Sequence, residues 1–365
     1  EWDAYERLTT RLGAPAAPFD LPPHYNRKST RSMGRVAVIA TRTSELALID
    51  AGLLGDPLVT SGRMGISYGS SAGTPKSIGD FGRMITEKTT EGITAATYIK
   101  MMAHTAPVNM GVFFGITGRI INTSRACTSG SQGIGYAYEA IQAGHQTAML
   151  AGGADEIDVA TAAVFDTLFA TSTRNDTPEL TPRPFDRDRD GLVVGEGAST
   201  LVLENLEHAQ ARGARILAEV AGFGTNSDGR HVTQPNATTM AAAMRMALAD
   251  ARLPPEAIGY VNAHGTATDH GDIAETTATH AVFGERMPIS SLKSYTGHTL
   301  GACGALEAWA SIEMMRSGWF ARLMKGLFDR RQLVMGWVRE TPVWQNANRL
   351  AGSIRRLFTR RAARP

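Results

Sequence analysis

The chain has 365 residues, of which 43% are hydrophobic and 20% charged, and its formal net charge is +2. This balance is typical of a globular enzyme with room for two core-bearing halves, and we expect no nucleic acid partner. Because no run of about 18 apolar residues occurs, we also expect no membrane-spanning helix.

The N-terminal residues 1–7 lack the basic-then-apolar layout of a signal peptide. The chain has only two cysteines, Cys127 and Cys303, which are too few for a disulfide framework. A reducing, cytoplasmic setting is therefore predicted.

Residues 121–130 predict a β-branched strand that breaks at a small-residue elbow containing Cys127. Apolar side chains then recur at helical spacing as far as Ile141, and Gly144 can end the helix. A helix N-terminus presents unpaired N–H groups and partial positive charge, which favour a thiolate. Cys127 is therefore a candidate nucleophile for acyl transfer, and a small buried cysteine filling the junction is the alternative.

The elements that follow predict an α/β protein. In chain order they are a strand at 148–153, a helix at 239–253, strands at 258–263 and 288–292, and a helix at about 299–316. A boundary is expected near 205–215, where a short helix leads into a new strand. Both halves place reactive side chains just beyond strand ends, where open α/β sheets bind ligands.

Residues 171–199 predict a long functional loop rich in Arg, Asp, Pro and Gly. Its run from Asp186 to Gly191 imitates the start of a calcium loop, but the twelfth position is Gly197 and the nearest acid comes one residue early. The interleaved Arg187 and Arg189 also neutralise the acids, so we expect no metal.

Three motifs together point to a family. They are Ala-Cys-Thr-Ser-Gly at 126–130, Asn-Ala-His-Gly-Thr-x-Thr at 262–268 and Lys-x-x-x-Gly-His at 293–298. From about residue 25 to 320 the chain resembles the type II β-ketoacyl-acyl-carrier-protein synthases, condensing enzymes of the thiolase superfamily. The resemblance implies a five-layered αβαβα thiolase-like fold. Its two pseudo-repeated halves would span 1–205 and 206–340, followed by an atypical basic tail at 341–365.

The resemblance implies a decarboxylative condensation that elongates a fatty acyl chain. Cys127 would hold the acyl group as a thioester, and malonyl-carrier protein would lose carbon dioxide to give the attacking carbanion. Two imidazole N–H donors, His264 and His298, would stabilise the enolate. Lys293 would be a fixed positive charge that tunes the pocket, organises His298 and pairs with the buried carboxylate of Glu307.

The resemblance also implies the partners of the site. Thr266 and Thr268 match positions that hydrogen-bond the pantetheine arm, although they could be simple turn hydroxyls. Acyl carrier protein would be the partner, the phosphopantetheine that it carries the only prosthetic group, and a homodimer the assembly. The apolar stretch from Met101 to Phe114 could line an acyl tunnel, a dimer seam or the core.

We assign no catalytic role to the second cysteine or to two further histidines. We interpret Cys303 as packing, because the family usually has a small residue there. His231 and His270 lie in loops near matching motifs, and we assign them no function.

The chain departs from the family pattern at both ends. The glycine-rich first strand is not found, and after about Phe320 a Trp- and Arg-containing tail replaces the final strand and its gating loop. That loop supplies one N–H of the oxyanion hole, Cys127 supplying the other, and losing one donor typically costs about 10²–10³ in rate. An altered tail is our hypothesis, and a natural basic surface for an acidic carrier protein is the alternative.

Three alternatives to this function remain open at this stage. A decarboxylating or other acyl-transfer relative would share the fold and the nucleophile. A non-catalytic partner subunit usually lacks the cysteine that this chain keeps. A truncated or frame-shifted copy would fail to fold, because the two altered strands belong to the core.

Overall fold

The computed structural model describes residues 2–231 and 233–318, which form an α/β structure. The strands are β1 Gly13–Ala14, β2 Met64–Gly69, β3 Ile120–Asn122, β4 Ala148–Asp155, β5 Val194–Gly195, β6 Gly197–Glu204, β7 Val261–Asn262 and β8 Ile289–Ser290.

The α-helices follow in chain order: α1 Arg27–Thr30, α2 Arg35–Asp50, α3 Pro57–Thr60, α4 Pro75–Glu87, α5 Ala95–Met101, α6 Thr105–Phe114, α7 Ser129–Gln142, α8 Val159–Thr167, α9 Leu206–Ala211, α10 Ala237–Ala251, α11 Asp269–Phe283, α12 Lys293–Thr296 and α13 Cys303–Ser317. Four short 3₁₀ turns lie at Trp2–Ala4, Pro178–Leu180, Pro255–Ala257 and Leu300–Ala302.

A four-stranded sheet forms the centre of the N-terminal half. Its order is β3-β2-β4-β6, with β2 parallel to β3 and β4, and β6 antiparallel to β4. Every residue of β2 and β4 is buried. Such continuous burial is typical of strands that helices cover on both faces.

Helices pack on opposite faces of this sheet because successive side chains of a strand point to opposite sides. Leu150 belongs to the cluster that includes Val36 of α2 and Met110 of α6. Its neighbour Met149 packs instead with Ala137 of α7. Helix α13 lies beside α7 and contacts β4 and β6.

Smaller parallel pairs complete the sheets of the described residues. Strand β1 pairs with β5, and β7 pairs with β8 through Val261 opposite Ile289 and Asn262 opposite Ser290. The carboxyl ends of β3 and β7 lead into the loops that carry Cys127 and His264, and β8 leads after two residues into Lys293 at the start of α12, so all three side chains follow strand ends as the sequence predicts.

Several predicted elements are confirmed with shifted bounds. The helix after the elbow is α7, the helix predicted at 239–253 is α10, and the helix predicted at 299–316 is the last 3₁₀ turn followed by α13. Asn236 explains the earlier start of α10, because its side chain accepts a hydrogen bond from the Thr238 N–H.

Other predicted bounds are wrong. The strands predicted at 258–263 and 288–292 are reduced to two residues each, because only those residues pair. The loop predicted at 171–199 already contains β5 and the start of β6. A short helix, α9, lies in the boundary region expected at 205–215. The new strand expected after it is not found, because residues 212–231 contain no strand.

No helix within residues 2–231 or 233–318 is both long and apolar enough to span a bilayer. The proposed tail at 341–365, the gating loop and the end of the second half lie outside the described residues.

Gly133 of α7 tests the close packing of helix on sheet. A Cβ at this position would lie 2.7 Å from the Gly152 carbonyl oxygen and 2.8 Å from that of Ser67. We expect Gly133→Ala to lower the free energy of unfolding by about 1–3 kcal/mol, because backbone atoms must shift.

Gly79 in α4 is the matched control, because a Cβ there meets nothing within 4 Å. Gly79→Ala should raise the free energy of unfolding by about 0.5–1 kcal/mol. Denaturant titrations measure the free energy of unfolding of both variants. Equal effects of the two substitutions would contradict the close packing of α7 on the sheet at Gly133.

Candidate active site

Cys127 lies on a strained elbow between β3 and α7. The residue before it, Ala126, has φ 49°, in the left-handed region that non-glycine residues rarely adopt. Ser129 holds the turn closed, because its hydroxyl accepts the Arg125 N–H at 2.8 Å and donates to the Ala126 carbonyl at 2.7 Å. The elbow therefore places the thiol one residue before Thr128, the N-cap of α7.

His264 follows β7, and a buried carboxylate fixes its backbone. The two oxygens of Glu275, in α11, accept the N–H groups of His264 and Gly265, each at 2.7 Å. Gly265 has φ 38°, so the turn requires a conformation that favours glycine. The loop thus turns sharply and is clamped from behind by α11.

His298 lies in the loop between α12 and α13 and is 1% exposed. Its own N–H donates to the Val193 carbonyl at 2.7 Å, and its ring Nδ1 accepts the Leu300 N–H at 3.1 Å. Leu300 has φ 51°, a second left-handed non-glycine residue. Strain of this kind persists only where the surroundings over-determine it, and it clusters at functional sites.

The three loops converge. The Cys127 sulfur and one ring nitrogen from each of His264 and His298 all lie within 4.8 Å of one another. The two imidazole rings meet edge to face, with centroids 5.1 Å apart and planes at 83°. Three side chains that are distant in sequence therefore surround one small volume.

The hydrogen bonds of the rings determine where their protons lie. Lys293 Nζ, which can only donate, is 3.2 Å from His264 Nδ1, and the Leu300 N–H occupies His298 Nδ1. Each Nδ1 is therefore an acceptor, and the proton of each neutral ring lies on Nε2. Two N–H donors are available beside the sulfur.

Lys293 is a buried cation with defined partners. It is 1% exposed, and its Nζ donates to Glu307 Oε1 at 2.5 Å and to the His264 carbonyl at 2.6 Å. The predicted pairing of Lys293 with Glu307 is confirmed, whereas the histidine that Lys293 holds is His264 and not His298 as predicted. Burial alone would lower the pKa of Lys293, but the acidic groups of Cys303 and Glu307 outweigh it and raise that pKa.

The same burial keeps both imidazoles neutral. The pKa values of His264 and His298 lie well below the ordinary value, first because burial penalises the charged ring and then because Lys293 repels a second positive charge. At neutral pH the site therefore contains one ammonium and two uncharged N–H donors.

The expected thiolate character of Cys127 is wrong for the resting site. Burial raises its pKa to about 11, and the opposing effect of the Lys293 charge is smaller. Glu307 neutralises much of that charge, and the sulfur precedes the first turn of α7. The resting nucleophile is a thiol.

This donor arrangement disfavours a bound metal ion. Cys127 with the two histidines, and His264 with Cys303 and Glu307, are close enough to ligate one. A ring whose Nδ1 already accepts a hydrogen bond can present Nε2 only as an N–H. An ammonium 3.2 Å from His264 would also repel a cation.

Thr266 and Thr268 lie on the rim of the His264 loop. Their hydroxyls hydrogen-bond each other at 2.8 Å, and both residues are half-buried. Ala267 between them has φ 64°, a third left-handed non-glycine residue in the site loops. The two hydroxyls are thus held together at the opening of the loop.

Sequence reasoning missed two acids of α11. Glu275 positions His264, and Asp272 accepts the N–H groups of Phe185 at 2.7 Å and Ala267 at 3.1 Å. Arg189 lies 3.5 Å from Asp272, which joins the loop predicted at 171–199 to the site. The sequence pattern that could have identified them is a pair of acids three residues apart, shortly after the histidine motif and within the first two turns of a helix.

Asp155, at the end of β4, was also missed as a site residue. Its carboxylate is 1% exposed and accepts the Ser70 hydroxyl at 2.6 Å, the Ser71 N–H at 2.8 Å and the Gly301 N–H at 2.7 Å. It therefore ties the ends of β2 and β4 to the loop that carries His298.

The remaining candidates from the sequence are the second cysteine, two histidines and one apolar stretch. Cys303 is 3% exposed and lies against Cys127. His231 lies in a loop as predicted, whereas His270 lies in the first turn of α11, and both are exposed. In the stretch from Met101 to Phe114, Met110 is fully buried in the core, but Val112 is 80% exposed. That stretch therefore serves the core on one side and presents an apolar surface on the other.

The fold and the site define a thiolase-like α/β protein whose cysteine faces paired histidine donors. The family model "Beta-ketoacyl synthase, N-terminal domain" matches residues 1–209, and "Beta-ketoacyl synthase, C-terminal domain" matches residues 217–326. The chain belongs to the β-ketoacyl synthase family.

Named relatives agree with this assignment. The chain is 38% identical over 316 residues to 3-oxoacyl-[acyl-carrier-protein] synthase 2 of Vibrio cholerae, covering 84% of this chain and 75% of that one. It is 37% identical over 299 residues to synthase 1 of Escherichia coli, covering 81% and 73%.

Solved structures share the fold. A crystal structure of a β-ketoacyl synthase from Burkholderia phymatum matches with a TM-score of 0.87 and 61% identity, over 89% of this chain and 79% of that one. A type II polyketide ketosynthase in complex with its acyl-carrier protein matches with a TM-score of 0.73 and 30% identity, over 79% and 74%. The thiolase-like fold predicted from the motifs is confirmed.

The protonation state of Cys127 can be measured by alkylation with iodoacetamide across the pH range. A pKa of about 11 leaves little thiolate at neutral pH, so the rate should climb about tenfold for each pH unit between about 7 and 10. In denaturant the thiol should titrate near the ordinary value of about 8.5. A native rate that is already constant above about pH 7 would show a resting thiolate instead.

Proposed function

We propose that this chain is a β-ketoacyl-acyl-carrier-protein synthase. It joins an acyl group held on Cys127 to the two-carbon unit of malonyl-acyl carrier protein, with loss of carbon dioxide, in fatty acid elongation. The convergence of Cys127 with the rings of His264 and His298, whose Nδ1 atoms already accept hydrogen bonds, beside a buried ammonium is the observation that carries this proposal. The relatives named as 3-oxoacyl-acyl-carrier-protein synthases support the same reaction.

In the first step, the Cys127 sulfur attacks the thioester carbonyl of the acyl chain. The new carbon–sulfur bond replaces the bond to the pantetheine thiol, and the proton of Cys127 passes to that leaving thiol. Exchange of one thioester for another consumes no net proton. A nucleophile whose pKa is about 11 is therefore compatible with the step, provided that the proton moves during attack.

In the second step, malonyl thioester loses carbon dioxide and negative charge develops on its thioester oxygen. The Nε2–H groups of His264 and His298 donate to that oxygen, and they need no reorganisation because their Nδ1 atoms are already held. A neutral donor stabilises the enolate without transferring a proton that would quench the carbanion.

In the third step, the carbanion attacks the acyl carbonyl on Cys127. A carbon–carbon bond forms, the carbon–sulfur bond breaks, and the released sulfur recovers a proton. Lys293 is a positioning residue in this scheme, because it holds His264 through Nδ1 and through the backbone carbonyl. We assign Thr266 and Thr268 to the pantetheine arm because they match the threonines of the family motif, and their hydroxyls lie together in the loop that follows His264.

These steps need no metal or further cofactor, since the substrates arrive on the phosphopantetheine of acyl carrier protein. The relative crystallised with its acyl-carrier protein supports that partner. We also propose a cytoplasmic location, because Cys127 acts only as a free thiol and both cysteines are free in this structure.

Replacing one imidazole should separate the steps. His298→Ala removes one enolate donor, so the rate of β-ketoacyl product formation should fall about 10²–10³-fold. Mass spectrometry should still find the acyl group on Cys127. Exposed His270→Ala is the matched control and should keep the native rate.

Cys127→Ala should give neither the acyl adduct nor the product. An adduct on another residue, or no product from a folded native chain, would contradict the proposal. The second outcome would favour the non-catalytic subunit considered above.

We further propose that two copies of the chain associate through the edge strand β3. Strand β3 ends the four-stranded sheet, and Ile120 on it is 40% exposed. Val108 and Val112 of the neighbouring α6 are 46% and 80% exposed. Within residues 2–231 and 233–318 no strand pairs with the outer edge of β3, and such an edge beside exposed valines is a surface on which a second sheet can pair.

Val112→Asp should convert the dimer into a monomer, because the charge would be buried between the copies. Ile273→Asp is the control, since Ile273 is 59% exposed on α11. Light scattering during size-exclusion chromatography measures both masses. A native monomer, or a dimer that tolerates Val112→Asp, would rule out this interface.

A further inference from the structure

Both cysteines of the chain lie at one point of the fold, although 176 residues separate them in sequence. The thiol of Cys303 donates a hydrogen bond to the carbonyl oxygen of Cys127 at 3.3 Å. Cys127 is partly exposed, whereas Cys303 is 3% exposed. A small reagent can therefore reach Cys127 first, with Cys303 directly behind it.

The backbone carries the two thiols into reach of each other. A Cβ on Gly304 would lie 2.9 Å from the Ser131 nitrogen, and one on Gly130 would lie 2.8 Å from the Gly301 oxygen. The first turns of α7 and α13 are thus in backbone contact.

The contact limits how far the sulfur of Cys303 lies from the backbone of Cys127. A carbonyl oxygen lies about 2.4 Å from its own Cα, so this sulfur is within about 5.7 Å of the Cys127 Cα. Disulfides join residues whose Cα atoms are about 4.4–6.8 Å apart, so closing one requires both side chains to rotate and the two Cα atoms to lie within that range. The contact at 3.3 Å places the Cys303 sulfur against the backbone of Cys127, from which rotation of the side chains can begin.

One cation acts on both thiols. Burial raises the pKa of each, and the ammonium of Lys293 opposes that effect at both sulfurs. A thiolate formed at either cysteine therefore has the same positive charge beside it. Reaction at one sulfur and capture by the other take place within a single electrostatic environment.

We propose that Cys127 is a site of reversible oxidation by hydrogen peroxide or an organic hydroperoxide, and that Cys303 is its resolving thiol. The resulting disulfide removes the nucleophile while the oxidant is present. It also protects Cys127 from irreversible oxidation, because a sulfenic acid held beside a second thiol closes before it meets more oxidant.

The chemistry balances in two steps. The Cys127 thiolate attacks one peroxide oxygen, the O–O bond breaks, and the leaving hydroxide takes up the proton lost by the thiol to give water; from an organic hydroperoxide the leaving alkoxide takes up that proton to give an alcohol. The Cys303 sulfur then attacks the sulfenic sulfur of Cys127, the S–S bond forms, the S–O bond breaks, and a second water leaves with the Cys303 proton. Two thiols lose two electrons and the peroxide gains them.

Peptide mass spectrometry of the peroxide-treated full-length chain tests this directly. The native protein should lose two hydrogen atoms and yield a cross-linked peptide pair containing Cys127 and Cys303. Dithiothreitol should restore most of the original thiol titre. Because the readout is mass, the result does not depend on whether the chain condenses acyl groups.

Cys303→Ala is the informative variant. Without the resolving thiol, Cys127 should be oxidised by addition of two or three oxygen atoms. The fraction of Cys127 that dithiothreitol can return to the free thiol should fall several-fold. Circular dichroism and the rate of Cys127 alkylation before oxidation report whether the variant is folded, and Cys303→Ser is the second variant if it is not.

Three results would overturn the proposal. One is a native protein that gains oxygen atoms on Cys127 without the cross-linked pair. Another is a disulfide that forms only between two molecules. The third is a folded Cys303→Ala variant whose activity and thiol titre recover as fully as those of the native chain.

Discussion

The active-site arrangement depends on one buried ion pair. Lys293 is almost fully buried, and Glu307 lies 2.5 Å from its ammonium. Such a pair is costly to desolvate and strongly destabilising to break, so it persists only when its remaining hydrogen bonds are satisfied. Here the ammonium uses those bonds on His264, at both the ring and the carbonyl. The interaction that neutralises the charge therefore also orients a reacting group.

The second imidazole is held by a different device with the same result. Backbone strain at Leu300 directs its N–H onto His298 Nδ1. Burial and the repulsion from Lys293 then keep both rings uncharged, and one nitrogen of each ring lies within 4.8 Å of the Cys127 sulfur. Charge that develops during decarboxylation meets two preformed donors. Cys127 itself stays protonated at rest, because burial at the elbow raises the pKa of its thiol more than the Lys293 cation lowers it.

Much of this could be predicted from the sequence, because strand, small-residue elbow and helix leave local patterns. The three motifs predicted which residues would meet, and the β3–α7 junction lies where the periodicity placed it. The roles of Glu275 and Asp155 could not be predicted, since a carboxylate that accepts distant backbone N–H groups has no local pattern. The thiolate expectation failed for a related reason: the charge at a helix end can be read locally, whereas burial is a tertiary property.

The most direct test of this account is the ¹⁵N chemical shift of the imidazole nitrogens as a function of pH. For His264 and His298 we predict the Nε2–H tautomer and no titration between about pH 5 and 8, because their pKa values lie well below the ordinary value. Exposed His270 serves as the internal reference. A proton on Nδ1 of either ring, or titration of either ring near its ordinary value of about 6.5, would contradict the account.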